Sequence, residues 1–137
     1  MAATEADVEL VRRAFEEFDP SRPEGLEEYF DRFWHPDAVI EAADRFPVPG
    51  SYRGLDGYRQ WYEDSYGPYR DVDRRLHSLT PRGDCVVMLL TITGHSISDD
   101  VELELHIGTT YEVEDDRIRR MRIYLSHERA LEAAAAP

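Results

Sequence analysis

Among the residues able to carry chemistry, His95 stands out. It lies late in a strand candidate, Cys85–Ser98, on the same side as Thr91 and Thr93. A neutral imidazole there could act as a general base near neutral pH. The turn that follows decides which way it faces. A two-residue loop, Asp99–Asp100, would pair His95 with Glu104 on a polar face. A three-residue loop, Ser98–Asp100, would pair it with Leu103 and turn it inward, because a one-residue slip exchanges the faces of a strand. A histidine that only hydrogen-bonds at a rim or an interface fits the same position.

Tyr62, Tyr58 and Tyr111 could donate hydrogen bonds to a substrate carbonyl or a developing enolate. The same three could equally fill an aromatic core, with their hydroxyls on backbone carbonyls. Phe30, Phe33, Trp34 and Trp61 would wall an apolar pocket suited to a flat ring, with Thr93 and Thr109 as its polar contacts. Of the remaining histidines, His35 sits where a helix ends, where the dipole favours it as a cap. His127, beside Glu128, reads as a solvated first turn. His77 and His106 lie in strands, His106 on the polar face.

Several chemistries are disfavoured by what is missing. Every basic residue is arginine, so neither Schiff-base chemistry nor a phosphate-loop lysine is available. There is no asparagine, hence no N-glycosylation acceptor. No His-Glu-x-x-His or Cys-x-x-Cys spacing points to a metal, and Gly50–Gly54 lacks the strand-to-helix setting of a nucleotide loop. The expectation is therefore a site with neither metal nor cofactor. The single cysteine, Cys85, reads as a small buried hydrophobe.

The elements that would position these residues fall into two halves. Thr4 is a plausible N-cap for a helix carrying Val8, Val11, Phe15 and Phe18, stopped by Asp19–Pro20. Ser21–Glu24 has capping-box spacing before a second helix, whose apolar face is Leu26, Tyr29, Phe30, Phe33 and Trp34. A short strand over Ala38–Ala42 and a loop rich in Pro and Gly, Ala43–Gly54, precede a third helix capped by Asp56 and carrying Tyr58, Trp61, Tyr62 and Tyr66.

Four strands follow: Arg74–Pro81, Cys85–Ser98, Val101–Glu114 and Arg117–Leu125. Val101 to Val113 alternates with Glu102, Glu104, His106 and Glu112, giving one buried and one polar face. Val86–Ile92 is apolar on both sides and needs cover on both. Three helices cover one face only, so a second protomer is expected on the other. The arginines at 117, 119, 120 and 122 would balance acidic neighbours such as Glu102, Glu104 and Glu112. Ser126 caps a short terminal helix at Ala130–Glu132. The layout is α+β: a cone of three helices packed in a curved, mainly antiparallel sheet, enclosing an apolar cavity.

Composition sets the class of partner. The chain has 137 residues and a net charge of −13, with 42% hydrophobic residues. One domain over 1–137 with a real core is expected, not a disordered tail. The charge disfavours nucleic acid and anionic membranes, which repel an acidic surface. No apolar run approaches the roughly 18 residues of a membrane span. The absence of a signal-like N-terminus and the lone cysteine fit a cytoplasmic protein.

Three stretches carry a family resemblance: Phe33–Trp34–His35–Pro36–Asp37–Ala38–Val39–Ile40, then Tyr52–Arg53–Gly54–Leu55–Asp56–Gly57–Tyr58, and Asp116–Arg117–Ile118 running to Tyr124 and Ala130–Leu131. Through them the chain resembles the SnoaL-like branch of the nuclear transport factor 2-like superfamily from about Val8 to Ala133. That group includes polyketide cyclases, ketosteroid isomerases, scytalone dehydratase and limonene epoxide hydrolase.

The resemblance implies a small-molecule cavity, a homodimer through the convex sheet face, and the inward register for His95. Its isomerase machinery is mostly absent. The catalytic aspartate slot holds Ala42, the first-helix tyrosine falls on Ala14 and the protonated aspartate near Thr109, while a supporting tyrosine is retained at Tyr62. The last-strand aspartate of SnoaL-like cyclases has no counterpart in Met121–Tyr124. The expected function is binding of a small, mostly apolar ring-bearing molecule. Cofactor-free proton transfer would use His95 as base and Tyr62 or Tyr111 as donor. The alternative is a non-catalytic binding or dimerisation module.

Overall fold

Thr4 opens the first helix, α1 (Glu5–Glu17), with a complete capping box. Its Oγ1 accepts from the Asp7 N–H at 3.1 Å, and the Asp7 carboxylate accepts from the Thr4 N–H at 3.0 Å. The box expected at Ser21–Glu24 does not form. Both the Ser21 N–H and its hydroxyl donate to the Asp19 carboxylate instead, at 2.9 and 2.6 Å. Those bonds hold the Asp19 carboxyl below its ordinary range. A single 3-10 turn, Pro23–Gly25, then leads into α2 (Leu26–Phe33). These positions come from a computed structural model that describes residues 2–42 and 50–135.

The chain turns extended at Trp34, one residue past α2, so β1 spans Trp34–Ala42 and starts earlier than its apolar pattern suggests. Proline and histidine mask the strand, and a register shift between Trp34 and Val39 accommodates them. The Pro- and Gly-rich stretch expected to be all loop contains β2 (Ser51–Arg53); residues 43–49 lie outside the described residues. α3 (Gly54–Tyr66) begins two residues before Asp56, at Gly54 with φ +67°, and Arg53 is its N-cap without a side-chain bond.

The remaining strands are β3 (Tyr69–Arg82), β4 (Cys85–Ser96), β5 (Glu102–Glu114) and β6 (Arg117–Tyr124). The six form one curved, open sheet in the order β2-β1-β6-β5-β4-β3, in which only β1 and β6 run parallel. α1 to α3 pack against its inner face. Met88, Leu90, Ile107, Tyr111, Met121 and Ile123 meet Phe30, Phe33, Trp34 and Trp61 there. Phe33, Ile118 and Val11 are at most 2% exposed, and burying each such side chain stabilises the fold by about 1.5–3 kcal/mol.

The outer face of β4 corrects one expectation. Its cover comes from the same chain: α4 (His127–Ala135) lies across the convex side, packing Ala130 and Ala134 on Val87 and Tyr124. Ser126 caps this helix through the Arg129 N–H at 3.3 Å. The two-sided apolar pattern of β4 therefore does not by itself call for a second protomer. Gly108, opposite Leu89, permits the close approach: a Cβ there would stand 2.4 Å from that of Ala130. Cys85 lies half-buried beside this cluster, and burial pushes its thiol up.

The same face organises the histidines. Thr91, buried in β4, contacts His77 Nε2 at 2.6 Å and His106 Nδ1 at 3.0 Å. His127 is not a solvated first-turn residue: its Nε2 donates to the Leu90 carbonyl at 3.0 Å, and its ring lies 5.7 and 6.0 Å from those of His77 and His106. Nearer β1, Arg120 pairs with Glu41 at 3.4 Å and Glu112 at 3.8 Å, and Arg122 with Glu41 at 3.7 Å. Glu102 and Glu104 instead stand opposite His95 and Thr93. Among the described residues no helix is long and apolar enough to cross a membrane.

Candidate functional site

A cavity of about 250 Å³ remains between the three helices and the inner sheet face. That is just under the roughly 300 Å³ at which drug-sized pockets begin, so its guest must be small. A larger depression of about 930 Å³ lies between α1 and α2 on the surface, among Glu9, Glu24, Glu27, Glu28 and Asp31. It is the more open of the two and, among the described residues, holds no buried unpartnered group, whereas the interior cavity is less open and does.

Each wall follows from local structure. On α3, Tyr58, Trp61 and Ser65 recur at three- and four-residue steps and so share one stripe. Trp34 turns inward as the C-cap of α2, its N–H donating to the Phe30 carbonyl. Leu103, Leu105, Ile107, Thr109 and Tyr111 line the cavity from β5 at period two, and Val72 and Arg74 do so from β3. Tyr58 is the hub of the aromatic wall, with ring centroids 5.1 Å from Trp34 and 5.4 Å from both Phe30 and Trp61.

Four lining residues carry buried polar atoms without a hydrogen-bond partner: Trp34 Nε1, Trp61 Nε1, Ser65 Oγ and Thr109 Oγ1. Trp34, Trp61 and Thr109 are 4%, 9% and 5% exposed. The Tyr29 hydroxyl lies near the Trp34 indole and the Tyr111 hydroxyl near Thr109, yet neither pair meets hydrogen-bond geometry. Unpaired buried donors are rare and costly.

Burial raises the phenols of Tyr29, Tyr58 and Tyr66, and pushes Tyr111 up to about 12. These tyrosines are neutral donors at ordinary pH, not bases. Asp64 is the carboxylate of the lining; its oxygens accept from the Tyr52 hydroxyl and from Gln60 Nε2, each at 2.8 Å. Arg74 is the lining cation. No group of His, Cys, Asp and Glu among the described residues is placed to hold a metal ion.

The expected site residues divide between wall and core. Trp34, Tyr58, Trp61, Thr93, Thr109 and Tyr111 line the cavity. Phe30 and Phe33 are packed in the core behind that wall. Tyr62 donates its hydroxyl to the Pro20 carbonyl, the backbone role open to it from the start. His95 does not face inward. The turn is longer than both expected loops, running over the four residues Ile97–Asp100, so Ser96 pairs with Val101 and His95 with Glu102. Both belong to the outer face, and His95 Nδ1 is buried there without a partner.

Asp64, Ser65, Tyr66 and Arg74 were not anticipated. The alternation Val72–Arg74–Leu76, an arginine on the apolar side of a strand, is the signal that could have revealed Arg74. Of the isomerase slots, Ala14 and Thr109 do line the cavity, without the acidic or phenolic groups that chemistry needs.

A bent open sheet wrapped around three helices, with a cavity in the cone, defines the nuclear transport factor 2-like fold. The sequence matches the SnoaL-like domain model over residues 11–121, and the chain belongs to that family. Solved structures agree on the fold. A nuclear transport factor 2-like protein from Burkholderia xenovorans LB400 is 16% identical over 99% of this chain and 100% of its own, with a TM-score of 0.69. A protein described as a SnoaL-like polyketide cyclase, from Jannaschia sp. CCS1, is 13% identical over 100% and 99%, with a TM-score of 0.70. TerC, co-crystallised with polyporic acid, is 15% identical over 96% and 100%, also at 0.70. No curated protein matches the sequence significantly.

Proposed function

We propose that this protein binds a small, mostly apolar, ring-bearing molecule in the cone cavity, without metal or cofactor. The supporting observation is the combination of a largely apolar wall with four buried, unpartnered polar atoms in it. An aromatic ring carrying acceptor oxygens would satisfy both parts: the ring packs on Tyr58, Trp34 and Trp61, and the oxygens take the indole N–H groups. TerC, of the same fold, was co-crystallised with a small molecule, polyporic acid.

Cofactor-free proton transfer is the second reading, on one observation: Asp64 brings a carboxylate to a wall otherwise furnished with donors. It would act as base in place of His95, with Tyr111 as donor. A homodimer through the part of the convex face that α4 leaves open, around His95, Glu102 and Glu104, belongs to the same proposal. Light scattering tests it, since a monomer at micromolar concentration contradicts it.

The chain has two tryptophans, and both line the cavity. Intrinsic fluorescence therefore reports the guest directly. Saturable quenching by small aromatic ketones, at one site per chain, is the expected result. Linear, non-saturating quenching would refute a cavity site.

A further inference from the structure

Arg74 is an unusual residue to find on a cavity wall. Its Nη2 donates to the carbonyls of Phe15 and Phe18 at the end of α1, at 3.1 and 2.9 Å. Its guanidinium lies 4.4 Å from the Phe15 ring centre and 4.8 Å from that of Phe18. Both protein hydrogen bonds leave from one nitrogen, so the N–H groups on Nε and Nη1 stay unused among the described residues. Among the described residues no carboxylate forms an ion pair with it, the nearest acidic influence being Asp19, whose carboxyl its charge helps to lower, whereas arginines at 12, 22, 32, 59, 70, 119, 120 and 122 have acidic partners.

The opposing charge on the wall, Asp64, is held by Tyr52 and Gln60, neither of which lines the cavity. The field of Arg74 meanwhile reaches Tyr29, Tyr58, Tyr66 and Tyr111, favouring their ionised forms against the larger effect of burial.

Resting on the cavity reading above, we propose that Arg74 makes the site selective for a ring bearing an acidic hydroxyl, a phenol or enol, held as its oxyanion. A half-buried cation with unused N–H groups and no direct ion pair among the described residues is completed by an anionic guest, and the indole N–H groups of Trp34 and Trp61 add donors to the same oxygen-bearing ring. A delocalised oxyanion suits an apolar wall better than a compact carboxylate, because spread charge costs less to strip of water.

The test uses para-nitrophenol, whose ionised form is coloured, against its neutral methyl ether, para-nitroanisole. On the intact protein the bound nitrophenol should ionise about one unit below its free value, equivalent to roughly tenfold tighter binding of the phenolate than of the phenol. Arg74→Met should abolish that preference of phenolate over phenol, while Arg74→Lys should keep it. Nitroanisole bound but the nitrophenol ionisation unshifted or raised would overturn the oxyanion proposal and leave the cavity reading standing. Neither compound bound would overturn both. Should Arg74→Met fail to fold, the shift in the unmodified protein decides by itself.

Discussion

His95 stands opposite Glu102 across the β4–β5 hairpin, and that pairing assigns a whole strand to its faces. Met88, Leu90 and Ile92 line the cavity, while Thr91 and His95 do not. Replacing His95 by alanine should therefore leave guest affinity within about twofold, since the change removes no group that touches the cavity. Isothermal titration with an aromatic ketone checks this, and a loss of more than tenfold would place the imidazole in the site after all.

Trp61→Phe separates the two parts of the site. Phenylalanine keeps most of the ring wall and deletes the Nε1 donor. For a guest with acceptor oxygens the expected cost is about 0.5–1.5 kcal/mol, the value of one hydrogen bond, while a hydrocarbon guest should lose little. Quenching of the remaining Trp34 follows both titrations. Equal losses for the two guests would mean that the indole N–H is not used.

Gly108 and Ala130 hold α4 against the sheet with no room for a methyl group. Gly108→Ala forces the helix outward and should destabilise the fold by about 1–3 kcal/mol, as overpacking does. Urea denaturation followed by circular dichroism measures it. A variant as stable as the parent would show that α4 is not seated where the outer apolar face of β4 requires.

The buried phenols set an alkaline limit. In the unfolded chain they ionise near pH ~10, whereas burial keeps those of Tyr29, Tyr58, Tyr66 and Tyr111 neutral above that in the fold. Their contribution to stability is complete below pH ~10 and is lost as the pH rises through about 12, the value to which Tyr111 is raised. Tyrosinate absorbance should climb cooperatively with loss of near-ultraviolet circular dichroism in that range. A smooth rise centred near pH ~10 with the fold intact would contradict the burial.

Much of this architecture is legible in the residues, for identifiable reasons. Strong period-3.6 stripes gave α1 and α2, and Val101–Val113 alternates cleanly because its outer face is polar. β2 escaped because three residues among glycines and prolines carry no period. α4 was under-read because Ala130 and Ala134 bury little hydrophobic surface; they fit through smallness, opposite a glycine far away in sequence. That oversight turned the two-sided β4 into an argument for a second protomer. The site divided along similar lines. Aromatic residues on helix stripes point inward as their spacing predicts, but the face of His95 hangs on a turn of four residues, longer than the two- and three-residue loops its flanking pattern suggests. Arg74 escaped because its role comes from the carbonyls at the end of α1, which no local pattern encodes.

The most direct measurement is a high-resolution crystal structure of the protein grown with a small aromatic ketone. The predicted result is density for the ring against Tyr58, between Trp34 and Trp61, with its oxygen within hydrogen-bond distance of an indole nitrogen. Ketone density only on the outer surface, with the cavity side chains collapsed onto one another, would contradict the account.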